Sequence, residues 1–226
     1  MSSADAERFE NLQLGDQFPD FDAKTQLGSI NLHAYCTGSW CMLFTHPADF
    51  TPVCLTEIGM VSKLMPEFEA RMIKVVGMSA DSVERHKAFI KDVEETQECQ
   101  VLFPIVADVD ASISKRLGAW QPGSPGCDPA KPIIRAVYVI DPQRRLQLKL
   151  SYPVNLGRNF YEILRAVDAL KLVSHFKVST PANWKAGEDV MILPSINSET
   201  AEELFKEKGF QEIKPYLRIT PSPNVD

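Results

Sequence analysis

The chain has 226 residues, of which 44% are hydrophobic and 24% are charged, a composition that predicts a soluble globular protein with a substantial core. Its formal net charge of −6 argues against a general affinity for nucleic acid or anionic membranes, because both attract clustered lysine and arginine. The sequence contains no apolar stretch of about 18 residues, so we expect no stable membrane insertion. The N-terminus lacks the apolar core of a secretory signal, and we therefore expect a cytoplasmic protein.

Strand-like and helix-like segments alternate through the first part of the chain. Within residues 1–38, the short pieces Gly15–Asp22 and Gly28–Leu32 predict the edge strands of a first hairpin. The apolar run Cys41–Phe44 predicts a buried strand, and the apolar spacing over residues 55–68 predicts a helix. Further strands are predicted at residues 72–79, 103–108, 133–140 and 146–150, and further helices at 82–96 and 111–117. This alternation predicts an α/β fold whose sheet contains parallel strands, with helices on both faces.

The chain changes character near its C-terminus. Residues 159–176 have apolar positions at helical spacing and predict a long amphipathic helix that closes the first domain. Beyond it, prolines punctuate short elements, including a predicted helix at 199–208. Because residues 177–226 have few apolar positions, we expect them to pack on another surface. We therefore predict a first domain at 1–176 and a small C-terminal extension at 177–226.

Cys54 stands where the first buried strand gives way to a helix. Thr51 has the side chain of a helix N-cap and Pro52 suits the first helical position, which places Cys54 in the first turn. Unpaired backbone N–H groups and the positive end of the helix dipole favour a thiolate there, and thiolate is the reactive form of cysteine. The pattern predicts a nucleophile.

The cysteine and histidine content gives no sign of a metal or a disulfide framework. Five cysteines are an odd number, and they include no Cys-x-x-Cys pair. We expect neither a zinc site nor a cofactor.

Pro47, Thr51 and Cys54, spaced as Pro-x-x-x-Thr-x-x-Cys, resemble the active-site signature of the peroxiredoxins, thiol peroxidases with a thioredoxin-like fold. Residues 131–141 resemble the strand that supplies an active-site arginine in that family, here Arg135. Three C-terminal segments resemble the extension of the one-cysteine subgroup: Pro181–Trp184, Gly187–Val190 and Pro215–Arg218.

The resemblance implies a central mixed sheet, a homodimer across which the extension reaches, and the reduction of hydrogen peroxide and organic hydroperoxides in antioxidant defence. It implies that Cys54 attacks the peroxide. Thr51 and Arg135 would hold both the sulfur and the peroxide, and Pro47 would shield the sulfur.

Three further residues are predicted to support this site. His46 resembles the histidine found beside the proline in the one-cysteine subgroup, and we expect it to orient peroxide or tune the thiolate. Glu57 lies one turn after Cys54 on the same helix face and is suited to pairing with an arginine. Arg158 matches a second arginine of the family near the pocket.

A sulfenic acid on Cys54 has to be reduced by another thiol. Two-cysteine relatives carry a resolving cysteine just before the Pro-Ala-Asn-Trp segment, whereas this chain has Thr180 there. The predicted reductant is therefore an external thiol, either glutathione or a thioredoxin-like protein.

Three other functions are compatible with parts of the sequence. Some one-cysteine relatives are credited with phospholipase A2 activity; His33 and Ser39 match that pattern, but Gln143 stands where its aspartate is expected, two residues after Asp141. A chaperone or redox-signalling binding module that has lost turnover would not require Pro47, Thr51, Cys54 and Arg135, so their presence argues against this alternative. A disulfide reductase of thioredoxin type would need a Cys-x-x-Cys pair, but Thr51 stands three residues before Cys54.

Overall fold

A computed structural model describes residues 12–224 of the chain. These residues form two compact units, which are divided between Phe160 and Tyr161. Residues 1–11 of the N-terminal segment 1–38 lie outside the described residues. No helix within the described range is long and apolar enough to cross a membrane.

The first unit is built on a seven-stranded sheet. Its strands are β1 (Asp22–Thr25), β2 (Gly28–Asn31), β3 (Trp40–Thr45), β4 (Ile73–Ser79), β5 (Ile105–Ala107), β6 (Arg135–Ile140) and β7 (Leu146–Tyr152). Their order is β2-β1-β5-β4-β3-β6-β7. Strands β3, β4 and β5 run parallel, while the other neighbours pair antiparallel. The predicted mixed α/β sheet is confirmed.

The described residues of this unit form the helices α1 (Leu32–Tyr35), α2 (Pro52–Lys63), α3 (Met65–Ala70), α4 (Val83–Gln97) and α5 (Ser112–Arg116). Helix α2 begins at the predicted proline. The predicted helix over residues 55–68 is divided at Leu64, which ends α2 and precedes α3. Pro66 explains the break, because proline has no N–H for a continuing helix and its ring clashes with the preceding turn.

The centre of the sheet is buried on both faces. All six residues of β3 and all six of β6 are buried, as expected for continuous apolar runs covered on each side. Where β3 ends, the Thr45 hydroxyl donates to Ile134 O (2.6 Å) and accepts from Ala136 N (2.8 Å). Beside Arg135, hydrogen bonds of the Thr45 side chain therefore replace main-chain hydrogen bonds between β3 and β6.

The first hairpin differs from its prediction. Its second strand begins at Gly28 as expected, but its first strand is Asp22–Thr25. The predicted piece Gly15–Asp22 instead lies along the turn of the second hairpin, where Gly15 N donates to Leu146 O and Phe18 N donates to Arg144 O. Pro19 contributes to the difference because it has no N–H for a strand ladder.

The second unit has its own sheet and its own apolar cluster. The elements are α6 (Phe160–His175), whose first residue belongs to the first unit, β8 (Val178–Ser179), β9 (Val190–Ile192), α7 (Ser198–Leu204), β10 (Gln211–Lys214) and β11 (Leu217–Thr220). The four strands pair antiparallel in the order β10-β11-β9-β8. Leu172 of α6 clusters with Trp184, Val190 and Phe205. The residues after 177 therefore use the long helix to complete a small core.

Candidate active site

The loop between β3 and α2 places Cys54 in the first turn of the helix. Its side chain is fully buried. Thr51 is the N-cap residue, with the extended backbone expected there (φ −118°, ψ 143°). Its hydroxyl donates to Ala48 O (3.1 Å) and does not cap the helix. The predicted position of Thr51 is confirmed, whereas the side-chain capping bond is not formed.

Arg135 faces the sulfur from the first residue of β6. Its Nη1 lies 3.3 Å from Cys54 Sγ and 2.7 Å from Glu57 Oε2. Its Nε donates to Val154 O at 2.7 Å, which fixes the plane of the guanidinium. Arg135 is 1% exposed, so this charge acts on the sulfur with little screening by water.

Glu57 joins two arginines. Its Oε2 accepts from Arg135 Nη1 and from Arg158 Nη2, both at 2.7 Å. Its Oε1 accepts from the backbone N (2.8 Å) and Nε (2.9 Å) of Arg158. Burial raises the pKa of Glu57, but the hydrogen bonds from Arg158 and the charges of both arginines outweigh burial, so the pKa falls below its ordinary value. Glu57 is therefore an ionised anchor for both guanidinium groups.

Arg158 is held between two aromatic rings. Its guanidinium carbon lies 5.2 Å from the ring centre of Phe44 and 5.4 Å from that of Phe160, distances typical of cation–π contacts. Its Nη1 also donates to Ala136 O at 2.9 Å. These contacts leave Arg158 one orientation, in which it aligns Glu57 with Arg135.

His46 and Pro47 follow β3 directly, and both are buried. His46 Nε2 lies 2.9 Å from Asp49 Oδ1, and the other oxygen of Asp49 lies 2.7 Å from Nδ1 of His86 in α4. Burial raises the pKa of Asp49, but the hydrogen bonds from the two histidines outweigh burial and lower it to about 2. His46 thus belongs to a buried network in which Asp49 is the shared acceptor.

Asp49 and His86 were not predicted as site residues. The sequence does carry one sign of His86: it shares the buried face of α4 with Phe89, Ile90 and Val93, and a histidine at an apolar helical position needs a polar partner. That partner comes from a loop 37 residues away, a pairing that periodicity does not reveal.

The same three side chains are the one group within residues 12–224 whose His, Cys, Asp or Glu atoms lie close enough together to hold a metal, within 4.8 Å of one another. However, both oxygens of Asp49 and three of the four ring nitrogens already have hydrogen-bond partners. We therefore assign the group as a hydrogen-bonded network.

The other cysteines have different surroundings. Cys41 is fully buried in β3, and burial together with the neighbouring Cys36 thiol raises its pKa well above the ordinary value. Burial also raises the pKa of the partly exposed Cys99. Within residues 12–224, neither thiol has an arginine contact like that of Cys54. Cys41 is thus a core residue, as its position in an apolar strand suggests.

The residues considered for a hydrolase are engaged elsewhere. His33 Nε2 lies 2.8 Å from Phe18 O, and Asp141 accepts from Arg145 N (2.8 Å) and Gln147 Nε2 (2.6 Å). In the described part of the chain, no hydrogen bond joins His33 to Ser39 or to Asp141. The structure therefore shows no Ser-His-Asp triad at these positions.

A mixed α/β sheet and a helix-start thiol beside a buried arginine define a thiol peroxidase of thioredoxin-like fold. The sequence profile of the AhpC/TSA family matches residues 14–149, and that of the C-terminal domain of 1-Cys peroxiredoxin matches residues 169–208. The chain belongs to the AhpC/TSA family, within its 1-Cys peroxiredoxin subgroup, as the sequence motifs predicted.

Several known proteins are similar over nearly the whole chain. The 1-Cys peroxiredoxin of Dictyostelium discoideum is 42% identical over 94% of this chain and 86% of its own length. Peroxiredoxin-6 of Gallus gallus is 42% identical over 94% of this chain and 98% of its own. The crystal structure of an Arenicola marina peroxiredoxin 6 mutant has a TM-score of 0.88 at 36% identity, covering 95% of this chain and 100% of that one.

A yeast mitochondrial 1-Cys peroxiredoxin has a TM-score of 0.86 at 39% identity, covering 94% of this chain and 100% of its own. That structure concerns thiol resolution through the glutathione and thioredoxin systems.

Proposed function

We propose that the protein reduces hydrogen peroxide and organic hydroperoxides through a sulfenic acid on Cys54. The observation that carries this assignment is the 3.3 Å contact between Arg135 Nη1 and Cys54 Sγ inside a buried site. A guanidinium in that position stabilises the thiolate, which is the form that attacks an O–O bond.

The charge balance of the site supports an ionised sulfur. Arg135 and Arg158 bring two positive charges into a region with one ionised carboxylate, Glu57. A thiolate on Cys54 brings the sum of these charges to zero. This state is favoured because uncompensated buried charge is costly. A neutral thiol would leave one excess positive charge.

The donors and acceptors around the sulfur suit a hydroperoxide. Arg135 Nη2 makes no hydrogen bond within the described residues, so its N–H groups are free to donate to a peroxide oxygen. Thr51 gives its only hydroxyl proton to Ala48 O, so its oxygen is left to accept from the peroxide O–H. The proposed role of Pro47 is to shield the sulfur from water.

The reaction balances with one proton. The thiolate forms an S–O bond as the O–O bond breaks, and the departing oxygen takes up a proton to leave as water or an alcohol. Arg135 is placed to stabilise the charge that develops on that oxygen. The sulfur ends as a sulfenic acid.

An external thiol completes the cycle in this proposal. The sulfenic acid condenses with the thiol of glutathione or a thioredoxin-like protein, its S–O bond breaks and water leaves, and a second thiol then attacks the mixed disulfide and releases Cys54 as a thiol. All five cysteines are free, and Thr180 stands where two-cysteine relatives have their resolving cysteine. Such a cycle suits a reducing compartment, and we infer the cytoplasm.

We also propose that the chain is a homodimer in which the extension 177–226 contributes to the interface. Exposed apolar side chains of the second unit support this: Leu204 is 54% exposed, Ile213 49% and Tyr216 70%. Sedimentation equilibrium should give twice the 25.3 kDa chain mass. A single species of chain mass at micromolar concentration would contradict it.

Stopped-flow measurement of peroxide consumption tests the main proposal. Cys54→Ser should lower the second-order rate constant by about 10³-fold or more, because it removes the nucleophile. Cys99→Ser should leave the rate unchanged. If Cys54→Ser consumed peroxide as fast as the unaltered chain, the peroxidase assignment to Cys54 would be wrong. The result would then favour the alternative of a chaperone or redox-signalling binding module.

A further inference from the structure

His46, Asp49 and His86 form a histidine–aspartate cluster in which every side chain is fully buried. His46 and Asp49 belong to the loop that leads to Cys54, whereas His86 lies on α4. The contacts of the four ring nitrogens are enough to decide where the protons lie. This matters because a buried imidazole acts as a base and an imidazolium acts as an acid.

Both ring nitrogens of His86 face acceptors. Nδ1 lies 2.7 Å from Asp49 Oδ2, and Nε2 lies 3.3 Å from Val106 O. A backbone carbonyl only accepts, and each oxygen of the Asp49 carboxylate faces a histidine ring nitrogen as its acceptor. Both nitrogens of His86 must therefore carry hydrogen, which makes the ring an imidazolium.

His46 has a different pair of neighbours. Its Nε2 lies 2.9 Å from Asp49 Oδ1 and so carries a hydrogen. Its buried Nδ1 has no hydrogen-bond partner in the described part of the chain. A bare lone pair at a buried site costs less than an N–H without an acceptor on a charged ring, so His46 is the neutral Nε2–H tautomer.

The charges around the cluster already balance. Asp81 Oδ2 accepts from Asp49 N at 2.8 Å, and Asp81 Oδ1 accepts from Arg85 Nε at 2.8 Å. Arg85 also reaches Asp49 O at 3.5 Å from α4. Two carboxylates, one guanidinium and the imidazolium of His86 sum to zero. A second imidazolium at His46 would therefore add an uncompensated charge.

We propose that His86 is a positioning residue that carries the single imidazolium charge beside Asp49, and thereby keeps His46 neutral with its Nδ1 lone pair available on the active-site loop. The effect on catalysis rests on the proposed function, since it requires that peroxide reduction use a neutral His46. The location of the charge does not depend on that function.

Nitrogen-15 NMR of the histidine rings tests the location of the charge in the unaltered protein at pH 7. The chain has four histidines, so single substitutions assign each pair of ring signals. We expect hydrogen on both nitrogens of His86 and on Nε2 alone of His46. Hydrogen on both nitrogens of His46, or a neutral His86, would overturn the proposal. So would a stoichiometric metal found by elemental analysis of the purified protein.

His86→Gln tests the coupling between the two rings. Glutamine still donates to Asp49 but carries no charge, so the carboxylate should draw the proton to His46. We expect both His46 nitrogens to become protonated at pH 7, and the acid limb of the kcat/KM profile for hydrogen peroxide to move up by about one pH unit or more. The exposed His175→Gln should change neither measurement.

The outcomes separate the two proposals. An unshifted profile with a still neutral His46 in His86→Gln would overturn the role of His86. If that variant fails to fold, the spectrum of the unaltered protein still decides the charge assignment. An unaltered protein that consumes no peroxide would contradict the proposed function and leave the assignment of the charge to be read from the spectra.

Discussion

Two buried carboxylates lie close to Cys54 in the sequence, and each is held by two basic side chains. Glu57 binds two arginines, whose charges are permanent. Asp49 binds two histidines, whose charges depend on a proton. Both carboxylates have lowered pKa values, for the same reason: hydrogen bonds from basic groups outweigh the cost of burial.

The two clusters differ in whether the charge of their basic groups can change. The Glu57 cluster carries a fixed excess of one positive charge beside the sulfur of Cys54. The charge of the Asp49 cluster depends on the protons that its histidines carry. One carboxylate is therefore paired with permanent charges beside the sulfur, and the other with groups that can exchange protons.

The largest expected effect comes from removing the charge of Glu57. Glu57→Gln removes the carboxylate that two buried guanidinium groups share, so we expect a loss of about 3–5 kcal/mol in the free energy of unfolding. Urea denaturation followed by circular dichroism measures it. The exposed Glu69→Gln in α3 is the matched control and should change stability by less than about 0.5 kcal/mol. Equal stability of the two variants would show that the Glu57 cluster contributes no net pairing.

Replacing Arg135 by lysine keeps the positive charge but removes the planar guanidinium, and so tests how the Glu57 cluster acts on the sulfur. Arg135→Lys cannot contact Cys54, Glu57 and the backbone in one plane, so kcat/KM for hydrogen peroxide should fall by about 10²-fold. Arg165→Lys, which alters a surface pair with Glu162, should leave the rate unchanged. A variant with full activity would mean that charge alone is sufficient at this position.

Acid should weaken both carboxylate clusters. The folded-state pKa of Asp49 is about 2 against an ordinary 3.8, so its stabilisation is present above pH 4 and is lost as the pH falls toward 2. The difference corresponds to about 2 kcal/mol. Denaturation at a series of pH values should show a shallower acid loss in Asp49→Asn by about that amount. An identical slope in both proteins would mean that the histidines do not stabilise the carboxylate.

The smallest effect is expected at the surface. Glu162 and Arg165 pair on one face of α6 at 2.6 Å, with side chains 45% and 31% exposed. Because water and salt screen such a pair, Glu162→Gln should cost less than about 1 kcal/mol, and the cost should shrink further in high salt. Thermal denaturation at two salt concentrations checks this. A cost as large as that of Glu57→Gln would remove the contrast between buried and exposed pairs.

Local signals in the sequence were sufficient for the elements that position Cys54. The apolar run of β3 and the Thr51–Pro52 helix start predicted the strand, the helix and the thiol in its first turn. They were not sufficient for the partners of that thiol, because Arg135 is 81 residues away. Its assignment came from resemblance to a family motif, and the structure places its guanidinium at the sulfur.

The remaining differences have physical causes. Strands β8 to β11 have only two to four residues each, too few to display an alternating pattern. The pairing of Asp49 with His86 depends on how a loop meets a helix, which no periodicity encodes. The helix predicted over residues 55–68 ignored Pro66, a breaker visible in the sequence.

The hydroxyl of Thr45 marks a boundary between two kinds of construction. On one side, β3 and β6 are held together by their main chains, so their spacing tolerates changes of side chain. On the other side, side chains make the contacts that join Arg135 to Cys54 and Glu57. Exchanges among these side chains can therefore alter the environment of the sulfur while the main-chain pairing of β3 with β6 stays as it is.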